Sequence, residues 1–212
     1  MVQSTVSSLR SRFIVLDGPE GSGKSTQVRL LAGTLQEQGL APLIVRDPGA
    51  TRIGEQIRAI LLDPAHTEMS MRCEMLLYMA ARAQMMGQTI VPALGAGQTV
   101  ICDRFVSSTL AYQLGGDGLT AEEIRAIGAI AIKSGWPDLT IILDIPIAQS
   151  FARVQRAKDR IEQRPAEYHE QVRRNYLAQA AGDPLRYRVI NADRPVEQVH
   201  TEIWSAIRNV FG

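Results

Sequence analysis

The chain has 212 residues, of which 45% are hydrophobic, and this is enough for one α/β domain with a buried core. Its formal net charge of +1 argues against the broad basic face that proteins binding nucleic acid usually carry. The apolar runs fall short of the roughly 18 residues that a membrane-spanning helix needs, so we expect no such helix.

The first residues, MVQSTVSSLRSR, are polar and lack the apolar core of a signal peptide. We therefore expect a disordered tail over residues 1–11, followed by one domain over residues 12–212. The two cysteines, Cys73 and Cys102, match no metal-binding spacing. We therefore expect buried, reduced thiols in a cytoplasmic protein, and not a disulfide.

Short apolar runs alternate with stretches of helical periodicity along the chain. Strands are predicted at 12–17, 42–46, 98–103, 139–144 and 187–192. Helices are predicted at 24–38, in IGEQIRAILL, at about 69–94, and at 120–134, 146–156, 166–180 and 195–211. This order predicts a five-stranded parallel sheet with helices on both faces, in which ligands bind beyond the carboxyl ends of the strands.

A glycine-rich loop follows the first predicted strand. Residues 18–25, GPEGSGKS, fit G-x-x-x-x-G-K-[ST] and precede a predicted helix, which is the context of a phosphate-binding loop. The glycines allow several backbone N–H groups to face a phosphate chain. Lys24 should reach the β- and γ-phosphates, and Ser25 should bind Mg²⁺. The residues that we assign to ATP in this loop are Gly18, Pro19, Glu20, Gly21, Ser22, Gly23, Lys24, Ser25 and Thr26.

Glu20 is unexpected in such a loop, because a carboxylate facing a triphosphate would repel it. It could face a hydroxyl group of a second substrate, or simply solvent. Three arginines also fall near the same strand ends: Arg46, Arg58 and Arg104. Together they would bind a phosphate bidentately, although each alone could equally be an ordinary surface arginine.

Tyr78 and Arg82 lie four residues apart on one face of a predicted helix. They could stack on a flat base and bond to its edge, but a core tyrosine and a surface arginine would have the same spacing. Residues 153–174 carry seven Arg or Lys against four acidic residues. That segment is either a solvated helix face or a phosphate clamp.

Five stretches resemble, in chain order, the motifs of bacterial thymidylate kinases: FIVLDGPEGSGKSTQ, RDPGATRIGEQIR, LLYMAARAQ, DRFVSSTLAYQ and DRIEQ. The resemblance covers about residues 12–211. The glycine loop occurs in many families, whereas the Arg-x-Pro-Gly turn and the DR-x-x-x-S-x-x-A-Y-Q stretch are more particular. The resemblance implies a P-loop NTPase fold with a short mobile lid, and ATP-dependent phosphorylation of dTMP to dTDP.

The resemblance also implies a dTMP site. In it Tyr78 would stack on thymine, Arg82 would contact the O4 edge, and Arg58 and Arg104 would hold the 5′-phosphate. Glu20 would serve the 3′-hydroxyl side of the sugar. The residues that the resemblance assigns to dTMP are Glu20, Arg46, Arg58, Tyr78, Arg82, Arg104, Ser108, Thr109 and Tyr112.

Within that site, Thr109 would sit at the N3 edge of the base, and Tyr112 would crowd the 2′ position of the sugar. Asp103 would lie near Mg²⁺ together with Ser25. Relatives usually have Glu and Gly where this chain has Asp47 and Ala50. Ala50 disfavours a positive φ, so we expect that turn to differ. Relatives also usually have Phe in place of Tyr78.

One branch of the family carries a catalytic arginine in the glycine loop, whereas the other supplies it from the lid. The loop of this chain contains no arginine, so the chain resembles the lid-arginine branch, with a lid at about residues 153–165. The implied catalytic residues are Lys24, Arg104, Arg156 and Arg160, with Arg153 beside the adenine and the NADRP loop (191–195) on the adenine's other side. Family members are usually homodimers, and the segments at 69–86 and 126–136 are candidate interfaces.

The implied reaction is direct in-line transfer of the γ-phosphoryl group from MgATP to dTMP, with no nucleic-acid or membrane partner. An alternative is a kinase for another nucleotide or a deoxynucleoside. Arg58 and Arg104 favour a monophosphate acceptor, because a nucleoside acceptor would need a carboxylate base instead. A second alternative is an ATP-binding switch without catalysis, which would lack an organised pocket for a base.

Overall fold

The computed structural model describes residues 8–154 and 159–212. Its centre is a five-stranded sheet with the strand order β2-β3-β1-β4-β5, and every neighbouring pair of strands is parallel. The strands are β1 (Phe13–Asp17), β2 (Leu43–Arg46), β3 (Val100–Asp103), β4 (Leu139–Asp144) and β5 (Tyr187–Asn191). The predicted parallel sheet is therefore confirmed, with strand ends that shift by one or two residues.

Nine α-helices that lie wholly within the described residues surround the sheet. They are α1 (Lys24–Glu37), α2 (Arg52–Leu62), α3 (Met71–Met85), α4 (Val91–Gly95), α5 (Val106–Tyr112), α6 (Ala121–Ile132), α7 (Ile147–Arg153), α8 (Ala166–Gly182) and α9 (Val196–Phe211). A π-helical turn at Met86–Ile90 joins α3 to α4, and a 3₁₀ turn lies at Gly116–Gly118.

Alternation along β1 explains why both faces of the sheet are covered. All five residues of β1 are buried, and successive side chains of a strand point to opposite faces. Ile14 and Leu16 join a core cluster with α1 and α9, whereas Phe13 and Val15 join a second cluster with α3, α5 and α6. Each helix layer therefore buries its apolar stripe against one face, as the sequence predicted.

Three expectations need correction. Leu9, within the expected tail, is fully buried in the core, and its carbonyl accepts a bond of 2.6 Å from Thr99 Oγ1, whereas residues 1–7 lie outside the described residues. Cys102 is buried as expected, but Cys73 is exposed, and both thiols are free. Residues 106–112 form a helix that the periodicity did not indicate.

The described helices include none with the length and apolar character needed to cross a membrane.

Candidate active site

The carboxyl ends of the strands open into a cavity of about 750 Å³. The loops that follow β1, β2 and β3 meet there, because these strands are neighbours in the sheet. The predicted site residues that line this cavity are Glu20, Gly21, Ser22, Gly23, Lys24, Ser25, Thr26, Arg46, Arg58, Tyr78, Arg82, Asp103, Arg104, Ser108, Thr109, Tyr112 and Arg153. Gly18, Pro19 and Arg160 do not line it, and Arg156 lies outside the described residues.

The glycine loop is packed so closely that two of its glycines cannot be replaced without a clash. Gly18 has φ 138°, and a Cβ atom there would lie 2.4 Å from the Leu143 carbonyl oxygen of β4. Gly21 has φ 70°, and its Cβ would lie 2.4 Å from the Ser150 carbonyl oxygen of α7. The loop therefore needs glycine both for its backbone conformation and for its contact with the neighbouring elements.

Lys24 begins α1 and is buried at the floor of the loop. Its Nζ donates to the carbonyl oxygens of Gly18 (3.2 Å) and Pro19 (2.7 Å). Burial, reinforced by the positive charge of Arg104, lowers the pKa of Lys24 below its ordinary value. An anionic phosphate would favour the charged ammonium, so this lysine is arranged to bind one.

Ser25 and Asp103 form a second polar pair at the loop. Ser25 Oγ donates to Asp103 Oδ2 over 2.6 Å. Hydroxyl and carboxylate oxygens are ligands that Mg²⁺ prefers, and the ion usually takes its remaining ligands from phosphates and water. In residues 8–154 and 159–212 no group of three His, Cys, Asp or Glu could hold a metal alone. The donor set therefore fits Mg²⁺ bound together with a nucleotide.

Arg104 is the most heavily bonded cation in the part of the cavity next to the glycine loop. Its guanidinium donates to Glu20 (2.7 Å), to the Gly18 carbonyl (3.0 Å) and to the Tyr176 hydroxyl (3.2 Å). The carboxylate of Asp17 lies 3.5 Å from it. Its backbone is in the left-handed region with φ 70°. Glu20 thus contacts an arginine of the predicted acceptor site.

The same environment controls the charge of Arg104. Burial alone would lower its pKa, but Tyr112, Tyr176 and the Glu20 carboxylate raise the pKa well above its ordinary value. The guanidinium also lies over the Tyr112 ring, 5.3 Å from its centroid. Arg104 is therefore a fixed positive charge, arranged to bind an anion at the mouth of the glycine loop.

Arg46 and Arg58 also line the cavity. Arg46 is half-exposed and bonds to Glu55 at 3.2 Å. Arg58 Nη1 donates to the Pro48 carbonyl at 3.1 Å, and burial together with Arg46 lowers its pKa. The three predicted phosphate-binding arginines therefore line one cavity with Lys24, and they do not point to different surfaces.

Arg82 is fully buried, which excludes the alternative of a surface arginine. Its Nε donates to Asp47 over 2.8 Å, its Nη2 pairs with the same carboxylate, and its Nη1 donates to Thr109 over 3.3 Å.

Ala50 adopts φ 60°, against the expectation that alanine would avoid a positive φ, and its N–H donates to Glu55 over 3.0 Å.

Tyr78 lies half-buried in the cavity wall, four residues before Arg82 on α3. Burial, with a smaller effect of the Glu74 carboxylate, raises the pKa of its hydroxyl, so the ring stays neutral. Tyr112 also lines the cavity, near the end of α5, where burial raises its pKa to about 12. Two neutral aromatic rings therefore line the same cavity as the arginines.

Arg153 of α7 also lines the cavity. It donates to the Ala192 carbonyl over 3.0 Å and pairs with Asp193 at 3.3 Å. Arg160 behaves differently, because its guanidinium bonds to the Leu61 carbonyl and to the buried Glu74 and lies outside the cavity lining. The prediction that Arg160 acts on the phosphates is not supported by this placement.

Sequence reasoning missed several residues around the cavity. Gln113, Asp159 and His169 line it, and Tyr176 donates to Asp17 over 2.6 Å beneath Arg104. Gln113 and Asp159 lie inside two of the motifs quoted above, and that position was the available signal. Tyr176 lies on α8, far along the chain, and no spacing relates it to the loop.

Comparisons with known proteins agree with this geometry. A family model described as thymidylate kinase matches residues 16–203. The chain is 44% identical over 209 residues to a thymidylate kinase of Desulforapulum autotrophicum, covering 94% of this chain and 92% of that one. It is 45% identical over 202 residues to a thymidylate kinase of Symbiobacterium thermophilum, covering 95% and 94%. A crystal structure of thymidylate kinase from Ehrlichia chaffeensis superposes with a TM-score of 0.76 at 29% identity, covering 92% of this chain and 98% of that one.

Proposed function

The chain belongs to the thymidylate kinase family, and we propose on this premise that its cavity binds ATP and dTMP end to end. The reaction is the phosphorylation of dTMP to dTDP, with ATP as the phosphoryl donor. One observation carries the proposal most directly: Lys24 of the glycine loop and the guanidiniums of Arg46, Arg58 and Arg104 share a single cavity.

ATP occupies the end of the cavity at the glycine loop. The loop amides and Lys24 bind its phosphates, because several N–H groups and a buried ammonium face the same space. Arg153 and the loop that begins at Ala192 flank the adenine, since both line that end of the cavity.

The acceptor occupies the other end. Arg58 and Arg104 hold its 5′-phosphate, and the ring of Tyr78 stacks on the thymine base. Arg82 and Thr109, which are already bonded to each other, contact the edge of the base. Glu20 serves the 3′-hydroxyl side of the sugar.

The remaining polar residues of this wall complete the acceptor site. Arg46 and Ser108 add donors near the phosphate, and Tyr112 occupies the space that a 2′-hydroxyl would need. This ring gives the site its preference for a deoxyribose.

Ser25 and Asp103 would hold Mg²⁺, which supplies charge neutralisation on the phosphate oxygens when it is bound. The chain's own contribution is positioning and a fixed positive field. Lys24 and Arg104 lie on either side of the point where the two substrates meet, and they stabilise negative charge that develops there. The acceptor phosphate is already anionic, so no general base has to remove a proton.

Arg156 remains our candidate for the lid arginine, and it lies outside the described residues. We expect Arg156→Ala to lower kcat on the order of 10³-fold, as the loss of an arginine finger does. Turnover close to that of the wild type would remove the assignment.

An acceptor panel tests the activity itself. With MgATP as donor, the enzyme should form dTDP from dTMP, and much less product from dUMP, dCMP, UMP or thymidine. Thymidine has no phosphate for Arg58 and Arg104, so it is the sharpest comparison. Faster turnover of thymidine than of dTMP would favour the alternative of a deoxynucleoside kinase. ATP hydrolysis without any phosphorylated acceptor would favour the ATP-binding switch.

We also propose a cytoplasmic homodimer. Leu76 of α3 and Ile130 of α6 are exposed apolar side chains within the two candidate interface segments. Sedimentation of the wild type and of an Ile130→Glu variant tests the dimer. A monomeric wild type at micromolar concentration would exclude it.

A further inference from the structure

A buried carboxylate lies directly behind the acceptor end of the cavity. Glu74, in the first turn of α3, has no solvent-exposed surface. Its Oε1 accepts from Gln113 Nε2 over 2.7 Å, and its Oε2 accepts from Arg164 Nη2 over 2.7 Å and also from Arg160 Nη2. One carboxylate therefore binds two guanidiniums and an amide.

The two arginines connect Glu74 to further elements. Arg160 Nε donates to the Leu61 carbonyl at the end of α2 over 2.9 Å. Arg164 Nη1 donates to the Tyr168 hydroxyl of α8. Three helices (α2, α3 and α8), the residue after α5 and the segment 159–164 are therefore linked through one buried charge.

The network then reaches the wall of the cavity. The Tyr168 hydroxyl, which Arg164 contacts, itself donates to the Tyr112 carbonyl over 2.7 Å. Tyr112 lies across the acceptor end, and Gln113, the next residue, contacts Glu74 directly. The network therefore contacts two neighbouring residues, Tyr112 and Gln113, that line the cavity.

The segment 159–164 is itself part of the cavity wall. Three of its residues, Asp159, Ile161 and Glu162, line the cavity. Two others, Arg160 and Arg164, bond to Glu74. Tyr78, which also lines the cavity, lies one helical turn after Glu74 on α3. A displacement of the Glu74 carboxylate would therefore move residues on two sides of the acceptor at once.

We propose that Glu74 is a positioning residue for the acceptor: it fixes segment 159–164, Tyr112 and Tyr78 around dTMP, and it uses Arg160 and Arg164 as anchors. This inference rests on the proposed function, because it assigns the wall behind the acceptor site. Packing alone does not require this arrangement, because well-packed apolar residues often stabilise an interior as well as a buried ion group does. An ion group adds a fixed geometry, and geometry at a reacting site controls the rate.

The decisive variant is Glu74→Gln, which keeps the shape and removes the charge. We expect kcat/KM for dTMP to fall about 10- to 100-fold, the range that a misplacement of about 1 Å produces. The KM for MgATP should change less than about twofold, because Glu74 touches no residue of the glycine loop. Glu123→Gln is the matched control: its exposed pair with Arg72 is also lost, but it lies outside the cavity wall.

Amide hydrogen exchange gives a readout that does not depend on activity. In Glu74→Gln, amides 159–164 and 112–113 should exchange faster, whereas those of α9 should not, and Glu123→Gln should leave 159–164 unchanged. If Glu74→Gln fails to fold, Arg164→Met should give the same pattern with smaller effects, because Arg160 still binds Glu74. Glu74→Asp, which keeps the charge, should recover part of kcat/KM for dTMP.

Two results would overturn the inference. One is an unchanged kcat/KM for dTMP in Glu74→Gln with unchanged exchange over 159–164. The other is an equal loss for dTMP and MgATP, which indicates general destabilisation. A wild-type enzyme that forms no dTDP would overturn the proposed function instead, and the exchange experiment would still test the anchoring by Glu74.

Discussion

Arg82 is a cation from which the protein excludes water, and this determines what its neighbours must be. A buried charge is tolerated only when it is paired and hydrogen-bonded. Asp47 supplies the counter-charge, and the Phe105 carbonyl and the Thr109 hydroxyl accept from the remaining N–H groups. A guanidinium held in this way has one fixed orientation.

We expect Asp47→Asn to destabilise the fold by about 3–5 kcal/mol, because it leaves the guanidinium of Arg82 buried without a counter-charge. Urea unfolding at neutral pH measures this loss. Glu202→Gln is the control, since its pair with Arg194 is exposed and should contribute less than about 1 kcal/mol. Equal unfolding midpoints for the two variants would contradict the role of Asp47.

The sequence alone does not show that Arg82 and Asp47 form a pair. Arg82 was assigned to the site by the family resemblance, since its spacing to Tyr78 fits a surface arginine equally, and its partner Asp47 lies 35 residues earlier, in the turn after β2. Ala50 shows the same limit. Its intrinsic preference argues against φ 60°, yet the bond from its N–H to Glu55 is part of a turn that holds it there. A local propensity costing about 1–2 kcal/mol is overridden when the surroundings fix the turn.

The strands were predictable as elements because each is a short apolar run between turn-forming residues. The helix expected at about 69–94 was nearly right, since helical turns continue from Met71 to Gly95. Pro92 has no N–H and cannot donate to the carbonyl of Gln88, four residues earlier, and the chain forms a π turn at Met86–Ile90 next to it. Residues 106–112 were missed because a helix of seven residues is too short to show a clear period.

Helix α9 docks on α1 partly through a histidine. The His200 ring contacts the Thr34 hydroxyl over 2.8 Å. Burial, only partly offset by Glu37, lowers the pKa of His200 below 6.5. The folded protein therefore favours the neutral ring, whereas the unfolded chain takes up a proton near the ordinary pKa. The stability from this difference is complete above pH 6.5 and is lost as the pH falls below it.

We accordingly expect the wild type to lose more stability between pH 7.5 and 5.5 than His200→Gln does. The glutamine amide can still bond to Thr34 but does not titrate, and His66 and His169 are present in both proteins, so their contributions cancel. Urea midpoints at several pH values measure the difference. If the urea midpoints of the two proteins change equally with pH, the stability does not depend on the charge of His200.

At the scale of the whole molecule, the strand order explains why so much of the site could be predicted. β1 lies between β3 and β4, and β2 lies next to β3, so the loops after β1, β2 and β3 meet at one edge of the sheet. Residues placed after those strands by sequence therefore share a cavity. Glu74, Arg160 and Tyr176 could not be assigned in this way, because helix packing and not strand order brings them to the site.

The proposed arrangement, with two nucleotides in line in one cavity, predicts how tightly a ligand that links them should bind. Adenosine and thymidine joined 5′ to 5′ by five phosphates should bind at least about 10²-fold more tightly than ATP, because the second contact becomes intramolecular. Calorimetric titration measures this, and the same compound with two bridging phosphates is the control, since it cannot reach from Lys24 to Arg58 and also fill both base sites. Arg58→Met should remove most of the gain without changing the affinity for ATP alone, because its guanidinium bonds to the Pro48 carbonyl and not to the glycine loop. If the five-phosphate compound binds no better than ATP, the two substrates do not occupy this cavity end to end, and the arginines that share it with Lys24 serve another ligand.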